Sequence, residues 1–237
     1  MSTAVPGRPV GRLGGDMTRY HHHGPEAAAL EVLGDPWTLL VVRELLHADG
    51  PPEELAGWLP GASAGLVRKR LRALAEHGVV TAAGGSWALT RSGRALRPVI
   101  DALGRWGADH LPGPRSDDLD PALLLRDICR GVDRDALPEH PVAVAVGLTE
   151  TTGPRRWWLV FGPEAATATT TEPRLPVETR LDCSTAALAA VWQGRRDWLA
   201  AIRDGAIRLS GSPHAVRDVI AWIGAAPYAP SSPVRAR

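Results

Sequence analysis

Arg68-Lys69-Arg70-Leu71-Arg72 places four basic residues within five positions, two residues after Ser63-Ala64-Gly65. On a helix, at about 100° per residue, Val67, Leu71 and Leu74 share one face. Gly65, Arg68, Lys69, Arg72 and Glu76 share the opposite face. The chemistry of that second face suits a DNA major groove. An arginine bonds the guanine edge through two parallel N–H groups, and lysine or arginine holds phosphates. Ser63 is placed to cap the helix, and Gly65 keeps its first turn slim. Arg70 falls at the flank of the apolar face, where a phosphate or an internal carboxylate is a better partner than a base.

A charged helix face is often only solvated. Two features weigh against that reading here. A short helix and a tight turn precede the segment, as a helix-turn-helix requires. Charge is also segregated along the chain. The total is +1, from 27 basic residues (26 Arg and one Lys) and 26 acids over 237 residues. Residues 1–61 carry −4, residues 62–113 carry +5, and residues 114–237 are neutral. The near-zero total therefore conceals a basic segment on and after the candidate reading helix, as a nucleic-acid partner demands.

The elements that position this helix follow from punctuation and period. Pro25 opens a helix that Gly34 stops, and Asp35-Pro36 reads as an N-cap and first position for the next, running to about His47. Glu53 to Leu59 is a short helix with acids in its first turn. Pro60-Gly61-Ala62 turns the chain into the helix of residues 63–77, which Gly78 ends. Val79-Val80-Thr81 and Trp87-Ala88-Leu89-Thr90 flank Gly84-Gly85, a hairpin signal. Ser92 then caps a long helix whose stripe is Leu96, Val99, Ile100, Leu103 and Trp106. Helices, a hairpin and a long helix make the layout of a winged helix-turn-helix domain.

Particular segments in this block resemble the HxlR-type bacterial transcriptional regulators. They are Ala29 to Leu40 with Arg43-Glu44-Leu45, Leu59-Pro60-Gly61-Ala62-Ser63, Arg70-Leu71-Arg72-Ala73-Leu74, and Leu89 to Leu96. The resemblance covers about residues 25–110 and implies a DNA-binding homodimer whose first and last helices form the interface. The hairpin departs from the family: Ala82-Ala83-Gly84-Gly85-Ser86 is short and has no basic tip, whereas relatives commonly carry a longer basic wing. Arg91 and Arg94 are then the nearest candidates for phosphate contacts. The candidate DNA-binding set is Ser63, Gly65, Arg68, Lys69, Arg70, Arg72, Arg91 and Arg94. The N-terminal arm with Arg8, Arg12 and Arg19 either adds contacts or lies idle. Many relatives carry a sensing cysteine just before the first helix. Alignment on Gly34 and Trp37 puts Gly24 there, so thiol sensing at that position is excluded.

The two cysteines, Cys129 and Cys183, have no CxxC spacing, which argues against a zinc site or a disulfide scaffold. Cys129 sits among Leu123, Leu124, Leu125 and Ile128 and reads as an inert core thiol. His21-His22-His23 cannot all face one ion from a regular element, so neither a metal nor any other cofactor is expected. No apolar run approaches the ~18 residues of a membrane span, and the first 20 residues lack the apolar core of a signal peptide. A cytoplasmic protein is the expectation.

Composition divides the chain into a flexible arm (1–24), the winged domain (25–111), a linker rich in Pro, Gly and acids (112–118), a second domain (119–224) and a tail (225–237). In the second domain Asp120-Pro121 opens a helix. Strands follow at Val142–Val146, Arg155–Phe161, Ala165–Thr171 and Val177–Leu181. Two short helices, a strand at Ile207–Ser210 and an amphipathic helix with Val216, Val219, Ile220 and Ile223 complete it. The order is α+β. Leu181-Asp182-Cys183-Ser184-Thr185 through Trp192-Gln193-Gly194, then Asp204 to Ser212, looks like the sterol-carrier-protein-like fold over about residues 140–224. That resemblance implies a pocket for an apolar effector, with Trp158, Trp192, Trp198 and Trp222 as candidate lining. The plainer reading is that these indoles fill a core.

The expected fold class is thus multidomain, a mainly α winged helix-turn-helix domain followed by an α+β sterol-carrier-like domain. The expected function is a homodimeric DNA-binding regulator that reads the major groove with helix 63–77 and senses an apolar molecule. The alternative is a protein that binds or sequesters an apolar ligand and uses its winged helix mainly to dimerise. No nucleophile elbow, phosphate-binding loop or paired-carboxylate signature is present, so an enzyme is not expected.

Overall fold

The computed structural model describes residues 20, 22–115, 118–149 and 153–229, together with the backbone of residues 12–13 and 17–18. Arg8, Arg19 and His21 lie outside the described residues, as do positions 116–117 of the linker and 230–237 of the tail. The chain divides into two compact units, Met1–Leu103 and Gly104–Arg237.

In the first unit a two-residue ladder pairs β1 (Arg12–Leu13) with β2 (Met17–Thr18). Four helices follow: α1 (Pro25–Leu33), α2 (Thr38–His47), α3 (Pro52–Gly57) and α4 (Ala64–Glu76). Prolines start α1 and α3, where a missing N–H costs nothing. The Ser63 hydroxyl caps α4, accepting from the Leu66 amide at 3.2 Å. The hairpin β3 (Val80–Ala83) and β4 (Ser86–Leu89) turns on Gly84 and Gly85, both at positive φ, as a two-residue hairpin loop requires. Trp87 also exchanges two backbone hydrogen bonds with Gly50, which ties the hairpin to the loop after α2. The core forms from Val41, Val42 and Leu45 of α2, Leu55 and Leu59, the Val67-Leu71-Leu74 face of α4, and Val80 and Leu89 of the hairpin.

Three local expectations give way. Asp35 does not cap α2: its carboxylate is engaged by Arg70, and Trp37 takes the N-cap position with φ 74°. Ser92 does not open one long helix. Thr90 does the capping, its hydroxyl accepting from the Gly93 amide and donating to the Gly78 carbonyl. A short helix α5 (Arg91–Arg94) closes before α6 (Arg97–His110) begins. Pro98 explains the break. An unbroken helix would drive its ring into the Arg94 carbonyl and leave that carbonyl without a donor. Finally, the α6 stripe is not covered. Val99, Leu103 and Trp106 are exposed, Trp106 to 55%, while Leu96 and Ile100 pack against the core.

The second unit is a two-layer α/β arrangement. Helix α7 (Pro121–Arg130), capped by the Asp120 carboxylate, precedes five strands ordered β7-β6-β5-β8-β9. These are β5 (Val142–Thr149), β6 (Arg156–Phe161), β7 (Ala166–Thr169), β8 (Val177–Ser184) and β9 (Ile207–Ser210). All pairs are antiparallel except β5 with β8. Helices α8 (Thr185–Trp192), α9 (Trp198–Arg203) and α10 (Pro213–Ile223) join α7 over one face of the sheet. Strand alternation sends Val144, Val146, Trp157, Leu159, Phe161 and Leu181 into that layer. The closing helix is rotated from expectation: Ala215, Val219, Trp222 and Ile223 are buried, with Val216 and Ile220 only partly so. Trp222 turns the helix because its indole packs on Phe161, ring centroids 5.1 Å apart.

Candidate nucleic-acid interface

The rotation of α4 about its own axis decides which of its basic residues meet solvent. Val67, Leu71 and Leu74 are completely buried and pin one face to the core. Lys69, Arg72 and Glu76 are therefore exposed on the other, with Ser63 and Gly65 exposed at the N-terminal end. Arg68 is half-buried, its guanidinium paired with the Glu53 carboxylate of α3. Both side chains stay substantially exposed, at 40% and 61%. Such a pair is worth little in water, and a phosphate oxygen is an equivalent acceptor.

Arg70 goes the other way. It is only 8% exposed. Its guanidinium pairs with Asp35, and its Nε donates to the Pro36 carbonyl at 3.2 Å. Of the two partners the sequence allowed for it, the internal carboxylate holds it, so Arg70 leaves the set of candidate DNA contacts. Asp35 and Glu53 are the two residues that the sequence reasoning missed. In sequence Asp35 looks like a helix cap and Glu53 like first-turn charge, and each instead holds an arginine of α4. The flank position of Arg70 was the one signal available for the first pair.

Arg91 and Arg94 are exposed on α5, and the tip of the hairpin from Thr81 to Gly85 is exposed and uncharged. Among the described residues Arg72, Arg91 and Arg94 form no ion pair. The surface after the hairpin thus offers positive charge while the tip offers none.

The four tryptophans proposed to line a pocket, Trp158, Trp192, Trp198 and Trp222, are not gathered around one space. Trp192 and Trp222 are buried in the core, and Trp198 packs partly against it. Trp158 lies on the opposite face of the sheet, across from Ala145 and Thr169, because alternation turns its neighbour Trp157 inward. The indole N–H of Trp192 is buried without a hydrogen-bond partner among the described residues. Cys129 and Cys183 are buried free thiols of the same core. Among the described residues no group of three or more His, Cys, Asp or Glu is placed to hold a metal ion. None of the described helices is long and apolar enough to cross a membrane.

Residues 32–114 match the HxlR-like helix-turn-helix family. An HTH-type transcriptional regulator of Synechocystis sp. is 31% identical over 97 residues, spanning 38% of this chain and 72% of that protein. The HTH-type regulator YtcD of Bacillus subtilis is 29% identical over 91 residues, spanning 35% and 72%. Among solved structures, quinone-bound YodB from B. subtilis is 24% identical and covers 35% of this chain and 93% of its own, with a TM-score of 0.33.

Proposed function

Because the chain belongs to the HxlR-like helix-turn-helix family through residues 32–114, we propose that it is a DNA-binding transcriptional regulator that reads the major groove with α4. The observation that carries this reading is the face of α4 opposite Val67, Leu71 and Leu74. It presents Arg68, Lys69 and Arg72 behind a Ser63 cap, after a helix and a tight turn. Arg72 and Arg68 are assigned to base edges or phosphates, Lys69 to phosphates, and Arg91 and Arg94 to flanking phosphates. Ser63 and Gly65 let the N-terminal turn approach the backbone. The wing contributes position rather than charge.

The proposed assembly is a homodimer closed about a two-fold axis, which matches a pseudo-palindromic operator. Its support is the uncovered apolar surface of Val99, Leu103 and Trp106 on α6 and of Leu30 on α1. In this reading residues 25–111 bind DNA, and residues 119–224 form a sterol-carrier-like domain that responds to a small apolar effector. Support for the effector is the partnerless N–H of Trp192 inside an apolar core.

The test is binding to a random-sequence duplex and to a duplex selected from a random pool, each across a range of salt. Arg68→Ala and Arg72→Ala are each expected to weaken binding to both, and each to take about one from the log–log salt slope. Unchanged affinity and slope in both variants would assign DNA binding elsewhere.

A further inference from the structure

The loop between α1 and α2 grips the reading helix twice. The first grip is Arg70, reaching inward from α4 to the Asp35 carboxylate and the Pro36 carbonyl. The second is Trp37. Among the described residues it is the only non-glycine at positive φ, a conformation that a bulky side chain adopts only when its surroundings enforce it. That conformation lays the indole against Gly61, where a Cβ would meet the ring at 3.4 Å, in ordinary van der Waals contact. Gly61 is itself at φ 87°, in the turn that delivers α4. One short loop therefore holds α4 at its leading turn and again near its middle.

Close packing does not share this work evenly. A small cleft with room for no more than about a water lies beside the pair, lined in part by Glu31, Thr38, Ala73 and His77. The Thr38 hydroxyl is buried there and lacks a partner among the described residues. On this side α4 is held by an ion pair between a buried Arg70 and a half-buried Asp35. Such a pair adds little to stability compared with apolar residues of like volume, and its well-attested use is to specify one arrangement.

We propose that Asp35, acting through Arg70, is a positioning residue for DNA reading: it sets the angle at which α4 presents Arg68 and Arg72 to the groove. This rests on the DNA-binding role of α4 proposed above. Arg70 sits between those two residues on a rigid helix, so a tilt at Arg70 moves both guanidinium groups away from base edges. Phosphate contacts, which tolerate displacement, survive that tilt better than paired contacts to a guanine.

The experiment measures the ratio of affinities for the selected and the random duplex, with the salt slope. Asp35→Asn is expected to lower that ratio about tenfold, the discrimination of one well-placed arginine–base contact, and to leave the slope unreduced. Arg70→Lys keeps the ion pair and loses the bond to Pro36, so it is expected to lose about threefold. A purely structural role moves the melting temperature and not the ratio in protein that is still folded. Should Asp35→Asn fail to fold, Arg70→Lys decides the matter. A wild-type ratio in the folded variants, with binding lost in Arg68→Ala, overturns the positioning role alone. Unchanged binding in both Arg68→Ala and Arg72→Ala overturns the DNA-reading role of α4, and this proposal with it.

Discussion

Thiol chemistry offers the sharpest quantitative test, because both cysteines sit in one apolar core. Cys129 is 7% exposed and Cys183 5%. Burial pushes each thiol from an ordinary 9.0 up to about 12; at Cys183 the charge of Asp182 adds to the rise, and a backbone hydrogen bond at Leu188 opposes it. The thiolate is the reactive form, so at pH 8 its fraction falls about a thousandfold below that of a free cysteine. Reagent access falls further, since the sulfurs are covered. A thiol-colorimetric assay on the native protein is expected to show almost no reaction over many minutes, and two thiols per chain after denaturation. The same shifts bear on alkaline stability. A thiol whose folded value is raised stabilises the fold fully below pH 9.0, and that contribution drains as pH rises from 9.0 towards 12. At pH 10 the unfolded chain gains on the order of 1 kcal/mol per ionised thiol, so the pair costs roughly 3 kcal/mol at most. Denaturant titrations at pH 8 and pH 10 are expected to show this loss in the wild type, and less of it in Cys129→Ala. Rapid modification of one thiol in native protein, or identical alkaline slopes in both proteins, would refute the reasoning and reopen a redox role.

Two further outcomes follow from exposed features. Glu53→Gln releases Arg68 from its pair on α3; affinity for a random duplex is expected to rise about two- to fivefold, the worth of an exposed ion pair. The salt slope should stay near its wild-type value, since Arg68 already counts towards it when DNA is bound, and an unchanged affinity in a fluorescence-anisotropy titration would count against Arg68 as a phosphate or base contact. Leu103→Glu places a charge in the apolar stripe of α6. Sedimentation is expected to show dimerisation weakened about thirtyfold or more in favour of monomer, the cost of a lost hot spot, and an unaltered dimer would move the interface elsewhere.

Most of the local structure was legible because short-range rules governed it. Ser63, Asp120, Ser184 and Asp197 each cap the helix they precede. Gly84-Gly85 makes the hairpin, and alternation sorts the strand faces. Apart from the break at Pro98 and the uncovered stripe of α6, the failures share one cause, which is a long-range partner outcompeting a local rule. Asp35 has the right type and position for a cap, yet Arg70 lies 35 positions away in sequence and takes the carboxylate. Thr90 displaces Ser92 because its hydroxyl reaches the Gly78 carbonyl across the hairpin as well as the Gly93 amide. The face of α10 was set by Trp222 meeting Phe161, a contact that no period within the helix reports. In the candidate interface the outward residues were legible from helical phase, whereas the two acids that restrain the arginines were not.

Helical phase also bears on specificity. Four basic residues in five look interchangeable in composition, but three buried aliphatic side chains fix how α4 turns. Arg68, Lys69 and Arg72 are sent outward and Arg70 inward, so under the proposed function a basic cluster is divided between reading and orienting. A rotation of one residue, about 100°, would bury one of the outward basic residues and expose Arg70, leaving Asp35 unpaired in a half-buried loop. The energetic penalty for that slip comes from both sides at once: apolar residues moved into water and a charge left without its partner. The same side chains that build the core of the first unit therefore also select which guanidinium groups face solvent, and the acids Asp35 and Glu53 hold the two arginines most affected by that choice.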